Sequence, residues 1–274
     1  MLREQLHVSV CQIKTYLICP RKYELSYVRG IEPAFIPVPL VFGSAFHAAL
    51  GHYYLKLQET RCGPPLEAVV QAFVDQWNVT TTGPVPLREE DGPADHLDRA
   101  AQMLAVFHAH AKASPPAKVD AVELPFSIEL HDPDSGDPLE EKLVGAMDLV
   151  TVKGKKRTVV EFKTAAKRWS RDQVAFDLQL TAYRLAARQL DLGDVGLRLE
   201  VFTKTAKPAV QVEELRRGPA DEEDLLRTVA SVLRAVDVGA FHRVRGWACR
   251  GCVRMQLGWG SSAAASGKSR RCFF

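Results

Sequence analysis

One segment constrains this chain more than any other: Gly145-Ala146-Met147-Asp148-Leu149-Val150, followed after a basic turn by Val159-Val160-Glu161-Phe162-Lys163. Apolar and β-branched residues surround each acid, and Lys153-Gly154-Lys155-Lys156 interrupts them with a turn, so the segment reads as a β-hairpin. With Gly154 and Lys155 as a two-residue turn, Lys153 pairs with Lys156 and Asp148 falls directly opposite Glu161. Opposed residues of a hairpin hold their Cβ atoms roughly 5 Å apart. Side chains alternate along a strand, so Glu161 and Lys163 share one face while Val160 and Phe162 point to the other, towards the core.

Two carboxylates held that close repel each other, and a divalent cation or a paired base is what keeps both ionised. Hard oxygen ligands suit magnesium or manganese. A lysine two residues beyond a metal-binding glutamate can orient an attacking water and balance charge as a phosphodiester is cleaved. The triplet alone does not decide this, because a charged hairpin face is most often simply solvated.

With 274 residues and 46% apolar content the chain can bury a full core, as one large domain or as a core with a helical insertion. The net charge of +3 is too small for a generally basic surface, so affinity for nucleic acid must come from a local patch such as Lys163, Lys167, Arg168 and Arg171. The first residues carry no signal-peptide or transit pattern and no stretch approaches a membrane span, which leads us to expect a cytoplasmic protein. Six cysteines in such a chain argue against a disulfide framework.

Helical patterns cover about 10 to 28, 43 to 60, 66 to 78 and 96 to 113, with breaks at Pro33 to Pro39, Pro64-Pro65 and Pro84 to Pro93. Strands then dominate: 121 to 130, 143 to 152 and 158 to 163 form a meander, a helix over 171 to 190 crosses over, and 197 to 205 is the next strand. A strand, helix, strand succession of this length favours a parallel crossover. A last helix over 221 to 236 opens with an acidic turn. In the helix expected over 171 to 190, Gln179 and Tyr183 lie four apart and share a face. His47 borders the apolar stripe Phe42, Phe46, Ala49, Leu50, Tyr53 and Leu57, where a histidine can be either a packed residue or a metal ligand. Ser266-Gly267-Lys268-Ser269 is not a phosphate-binding loop, since position 262 is Ser and neither strand nor helix flanks it, so any motor would be a separate partner.

Taken in order, these segments resemble a known family. Ser9 to Tyr23, with Cys19-Pro20-Arg21-Lys22-Tyr23 at its end, is similar to the opening helix of RecB-like nucleases of the PD-(D/E)XK superfamily, a group that also includes AddB nuclease domains and CRISPR-adaptation nucleases. Gly43 to His47, Gly145 to Asp148, Glu161 to Lys163, Gln179 to Tyr183 and Phe241 to Cys252 follow in the family's order. The resemblance implies an α/β restriction-endonuclease-like core, a central mixed sheet flanked by helices, with a helical N-terminal elaboration. It implies a nuclease domain over 1–258 with a helical insertion at about 60–115, and a flexible tail over 259–274.

It further implies a metal-dependent deoxyribonuclease, an exonuclease acting on DNA ends or single strands in repair or recombination. The alternatives are a CRISPR-adaptation nuclease and a catalytically inactive DNA-binding scaffold; a separate helicase, or a repair or CRISPR protein, would be the partner. His47, Asp148, Glu161 and the Phe162 carbonyl would bind Mg2+ or Mn2+, Asp148, Glu161 and Lys163 would be catalytic, and Gln179 and Tyr183 would contact DNA or steady the site. In relatives, one N-terminal and three C-terminal cysteines hold a 4Fe-4S cluster, here Cys19, Cys249, Cys252 and Cys272. The chain departs from that pattern because Cys272 lies far beyond the pair. Cys11 is the other candidate, about 12 Å from Cys19 if the helix between them is unbroken, and thiols without a cluster are the alternative.

Overall fold

The computed structural model describes residues 6–33, 35–82, 93–249 and 252. A short strand β1 (His7–Ser9) leads into α1 (Val10–Ile18), α2 (Pro20–Tyr23) and a π-helical turn over Glu24–Val28. Three longer helices follow, α3 (Val38–Thr60), α4 (Leu66–Thr81) and α5 (Pro93–Ala113). The meander is β2 (Lys118–Ile128), β3 (Lys142–Lys153) and β4 (Lys156–Ala165), and α6 (Arg171–Ala175) and α7 (Leu178–Gln189) connect it to β5 (Gly196–Thr203). β6 (Val210–Leu215) and α8 (Pro219–Asp237) complete the core.

The hairpin has the register its sequence dictates: Lys153 pairs with Lys156 and Leu149 with Val160. Gly154 takes φ +62°, the left-handed conformation that this turn needs and glycine adopts without steric cost. The ladder stops at Leu149 and Val160. Along its other edge β3 pairs with β2 from Leu143 to Val152. A strand has only two edges, so β1, which runs parallel to β3 at Lys142–Val144, shares the edge used by β4. Between these two ladders the edge of Gly145 to Asp148 has no strand partner, and this gap carries the site. Glycine is required at position 145, because a Cβ would lie 2.5 Å from the Phe126 ring on β2.

β4 and β5 are parallel, as the crossover predicts, and β5 and β6 antiparallel, giving a six-stranded mixed sheet. Both faces are covered. Val159, Leu197, Leu199 and Val201 pack with residues of α1, α7 and α8, while Leu149, Val160, Phe162 and Phe202 pack with α3, α4 and α5. The face that carries Glu161 is therefore a second core face and not a solvated one, so the expectation of a core on the Phe162 side alone is incomplete.

Several boundaries differ from the sequence reading, each for a local reason. The helix expected over 10 to 28 breaks at Cys19, which is extended (φ −163°, ψ 104°) before Pro20. α3 begins five residues early, because Pro39 in its first turn has no obligation to donate a hydrogen bond; His47 is consequently in mid-helix. The helix expected over 171 to 190 is two, since the Asp177 side chain caps α7 by accepting from the Gln179 N–H at 2.8 Å. β1 and β6 were not expected: one is three residues long, and the other turns Gln211 inward and leaves Val212 40% exposed, the reverse of the usual pattern. The Pro84 to Pro93 break falls almost wholly, and the tail over 259–274 wholly, outside the described residues. No described helix is long and apolar enough to cross a membrane.

Candidate active site

The β3–β4 gap is closed by side chains. The Asp148 Oδ2 accepts from the Phe162 N–H at 2.8 Å, and its Oδ1 lies 3.4 Å from Nδ1 of His47 on α3. This supplies the histidine partner that the sequence did not name. The His47 ring also meets the Phe162 ring edge-on at 6.5 Å, and Tyr54 stacks on Phe162 at 5.8 Å. One carboxylate and one aromatic ring thus fix the imidazole.

Glu161 is 2% exposed, and both of its oxygens are engaged: Oε1 by the Lys163 ammonium and Oε2 by the Tyr183 hydroxyl at 2.5 Å. Tyr183 is 1% exposed and also donates to the Ala146 carbonyl at 2.6 Å, one of the backbone groups left unpaired by the gap. A phenol carries one proton and can serve these two acceptors only in turn. Of the two places expected for Tyr183, on the DNA strand or steadying the site, its burial and its bond to Glu161 put the ring on the carboxylate side of the site. Gln179, half-buried one turn earlier on α7, lies near enough to the Tyr183 hydroxyl to influence its proton affinity.

The electrostatics follow from this crowding. Burial, then the neighbouring Asp148 charge, pushes Glu161 up to about 7. Burial acts on Asp148 in the same direction, but His47, Lys163 and the Phe162 N–H outweigh it and hold Asp148 below the usual carboxylate range. Burial would lower the proton affinity of His47 and Lys163; the carboxylates overcome it and raise both. Glu161 is thus the group that most needs a further positive charge.

Two residues of this cluster were not read from the sequence. Asp177, buried at the start of α7, bonds Lys14 of α1 at 2.7 Å and is close enough to Lys163 for each to shift the other. The capping position of Asp177 before an amphipathic helix was legible; the role of Lys14 carried no local signal.

Among the described residues no three His, Cys, Asp or Glu side chains form a preformed metal-binding group. In the carboxylate cluster the donors are in contact with one another or with Lys163, and the chemistry of the set fits a hard cation: oxygens from Asp148 and Glu161, one imidazole, and a raised proton affinity that a cation would relieve. The cysteines do not offer the same fit. Cys19 and Cys249-x-x-Cys252 are free, half-buried thiols, Cys11 is exposed, and Cys272 lies outside the described residues. The two ends of the domain nevertheless meet: Tyr16 donates to the Ala240 carbonyl at 2.7 Å, the Arg21 N–H donates to the His242 carbonyl at 3.1 Å, and Tyr23 stacks on Phe241.

A mixed sheet covered on both faces, with an Asp, Glu and Lys cluster where two central strands part, defines the architecture of a restriction-endonuclease-like nuclease. The chain belongs to the PD-(D/E)XK nuclease superfamily, whose family model matches residues 7–256. It is similar to the crystal structure of a Eubacterium rectale protein provisionally named an exonuclease, with a TM-score of 0.53 and 12% identity over 95% of this chain and 91% of that one. At that identity the likeness is one of fold. The crystal structure of SSO0001 aligns with a TM-score of 0.39 and 14% identity over 90% of this chain and 93% of that one, too distant to support an argument. No curated protein matches the chain.

Proposed function

We propose that this chain is a metal-dependent deoxyribonuclease of the RecB-like group, an exonuclease acting on DNA ends or single strands in repair or recombination. The observation that carries the reading is the meeting of Asp148, Glu161, Lys163 and His47 at the end of the β3–β4 ladder. Asp148, Glu161, His47 and the Phe162 carbonyl would hold Mg2+ or Mn2+, which when bound supplies Lewis-acid polarisation of the phosphate and a more acidic water.

The protein's own groups do the rest. The Phe162 N–H and His47 hold Asp148 in one orientation, and the contact on Nδ1 leaves Nε2 of His47 as the ligating nitrogen. Tyr183 holds one oxygen of Glu161 in place. Lys163, no longer needed by Glu161 once that carboxylate is neutralised, orients the attacking water and offsets charge on the phosphate. Exposed Lys167, Arg168 and Arg171 follow β4 and supply phosphate contacts that a net charge of +3 could not supply generally.

The test is digestion of end-labelled single- and double-stranded DNA with and without magnesium or manganese. The wild type releases label only with metal, and Asp148→Ala and Glu161→Ala release none while keeping their circular dichroism. Magnesium-dependent cleavage retained by both variants would refute the assignment. Divalent metal should also raise the melting temperature, and less so in His47→Ala.

A further inference from the structure

Phe176, 78% exposed, is the one aromatic among the exposed large apolar side chains of the described residues. Its surroundings are rigid. The α6 helix begins with a reciprocal cap between Ser170 and Gln173, and the Phe176 N–H donates to the Asp172 carbonyl at 2.9 Å. The guanidinium of Arg217 donates to the carbonyls of Val174 and Ala175 at 3.0 and 2.8 Å and to the Thr181 hydroxyl at 3.1 Å, clamping the junction of α6 and α7. The next residue, Asp177, is buried and bonded to Lys14. The fold thus fixes the backbone on both sides of an apolar ring and leaves the ring in water, which serves no purpose in the free protein.

The position of the ring relates it to the site. The chain leaves the site at Lys163, runs through β4 and the exposed basic residues Lys167, Arg168 and Arg171, and returns at Asp177, which interacts electrostatically with Lys163. None of the three basic residues forms an ion pair with a described residue. A pre-positioned aromatic beside unpaired cations matches the chemistry of a single nucleic-acid strand, in which each base has a free face and each linkage a negative charge. In a duplex the base faces are already stacked on one another.

We propose that Phe176 is a stacking platform for an unpaired nucleobase of the strand being cut, with Lys167, Arg168 and Arg171 on the adjoining phosphates. This rests on the nuclease reading and gives it a substrate class, the single strand or a frayed end. The experiment places 2-aminopurine within a single-stranded oligonucleotide and in a blunt duplex of the same sequence, with Glu161→Gln as the non-cleaving background. Phe176→Ala should bind the single strand about tenfold more weakly, on the scale of one lost base–aromatic contact, and lose the fluorescence quenching; Phe176→Trp should keep both. Duplex binding, and hydrolysis of bis(p-nitrophenyl) phosphate by otherwise wild-type protein, should not change. Equal affinity and quenching in Phe176→Ala would overturn the platform and leave the nuclease standing. Loss of self-association with unchanged DNA binding would overturn it in favour of protein docking. A wild-type protein that neither binds nor cuts nucleic acid would overturn the nuclease reading, and the platform with it.

Discussion

Glu161 is buried beside Asp148, and its proton affinity sets how the metal-free protein responds to pH. Its folded value of about 7 lies above the ordinary 4.5, so its contribution is fully present below about 4.5 and is lost as pH rises through about 7. His47, also raised, acts with the same sign, since its contribution is lost as pH rises through its folded value. The depressed Asp148 acts with the opposite sign, but only at acid pH below its ordinary range. Melting in EDTA should therefore show falling stability between pH 5 and pH 8, by at most a few kcal/mol on the order set by the Glu161 shift. Glu161→Gln should flatten that slope, and an unchanged slope would show that another group carries it. Lys163→Ala should preserve DNA binding and raise the barrier to cleavage by about 3 kcal/mol, the scale for one electrostatic stabiliser. Single-turnover rates at saturating metal measure this, and an unchanged rate would reduce Lys163 to a structural charge.

At the scale of the element, the site depends on two strands that pair for five residues and then part. Ala146 can offer its carbonyl to Tyr183, and Asp148 can reach the Phe162 N–H, because neither is occupied by a continuing ladder at that edge. Gly145 keeps β3 close to Phe126 beneath this gap. Gly145→Ala should cost about 1 to 3 kcal/mol through overpacking, and Phe126→Leu in the same chain should recover part of the loss. Urea melts of the two single variants and the double variant give the coupling directly; additive losses would show that Gly145 matters for some reason other than the ring.

At the scale of the whole molecule, direct protein contacts join the segments near its two ends among the described residues. Tyr16, Arg21 and Tyr23 meet Ala240, His242 and Phe241 through two hydrogen bonds and a stacked pair. A Cys249→Ser, Cys252→Ser double variant should therefore fold and retain metal-dependent cleavage. Circular dichroism and the end-label assay decide this, and a variant that cannot fold would show that the cysteines hold the ends together through a bound cluster.

The sequence by itself determined the hairpin, its turn and its register, because strand alternation and the two-residue turn at Gly154 are local rules that act over a dozen residues. It also determined which residue types meet, since Asp148 and Glu161 follow from that register and Lys163 from the alternation. Most helices were legible for the same reason, and their errors fall where a single proline or a capping aspartate decides a boundary. Tertiary structure alone decided that the Glu161 face is buried, that the Tyr183 hydroxyl meets the Glu161 carboxylate, and that Lys14 reaches Asp177. Each of these depends on a helix distant in sequence lying across the sheet, and burial, proton affinity and orphaned hydrogen bonds are properties of that enclosure that no local pattern encodes.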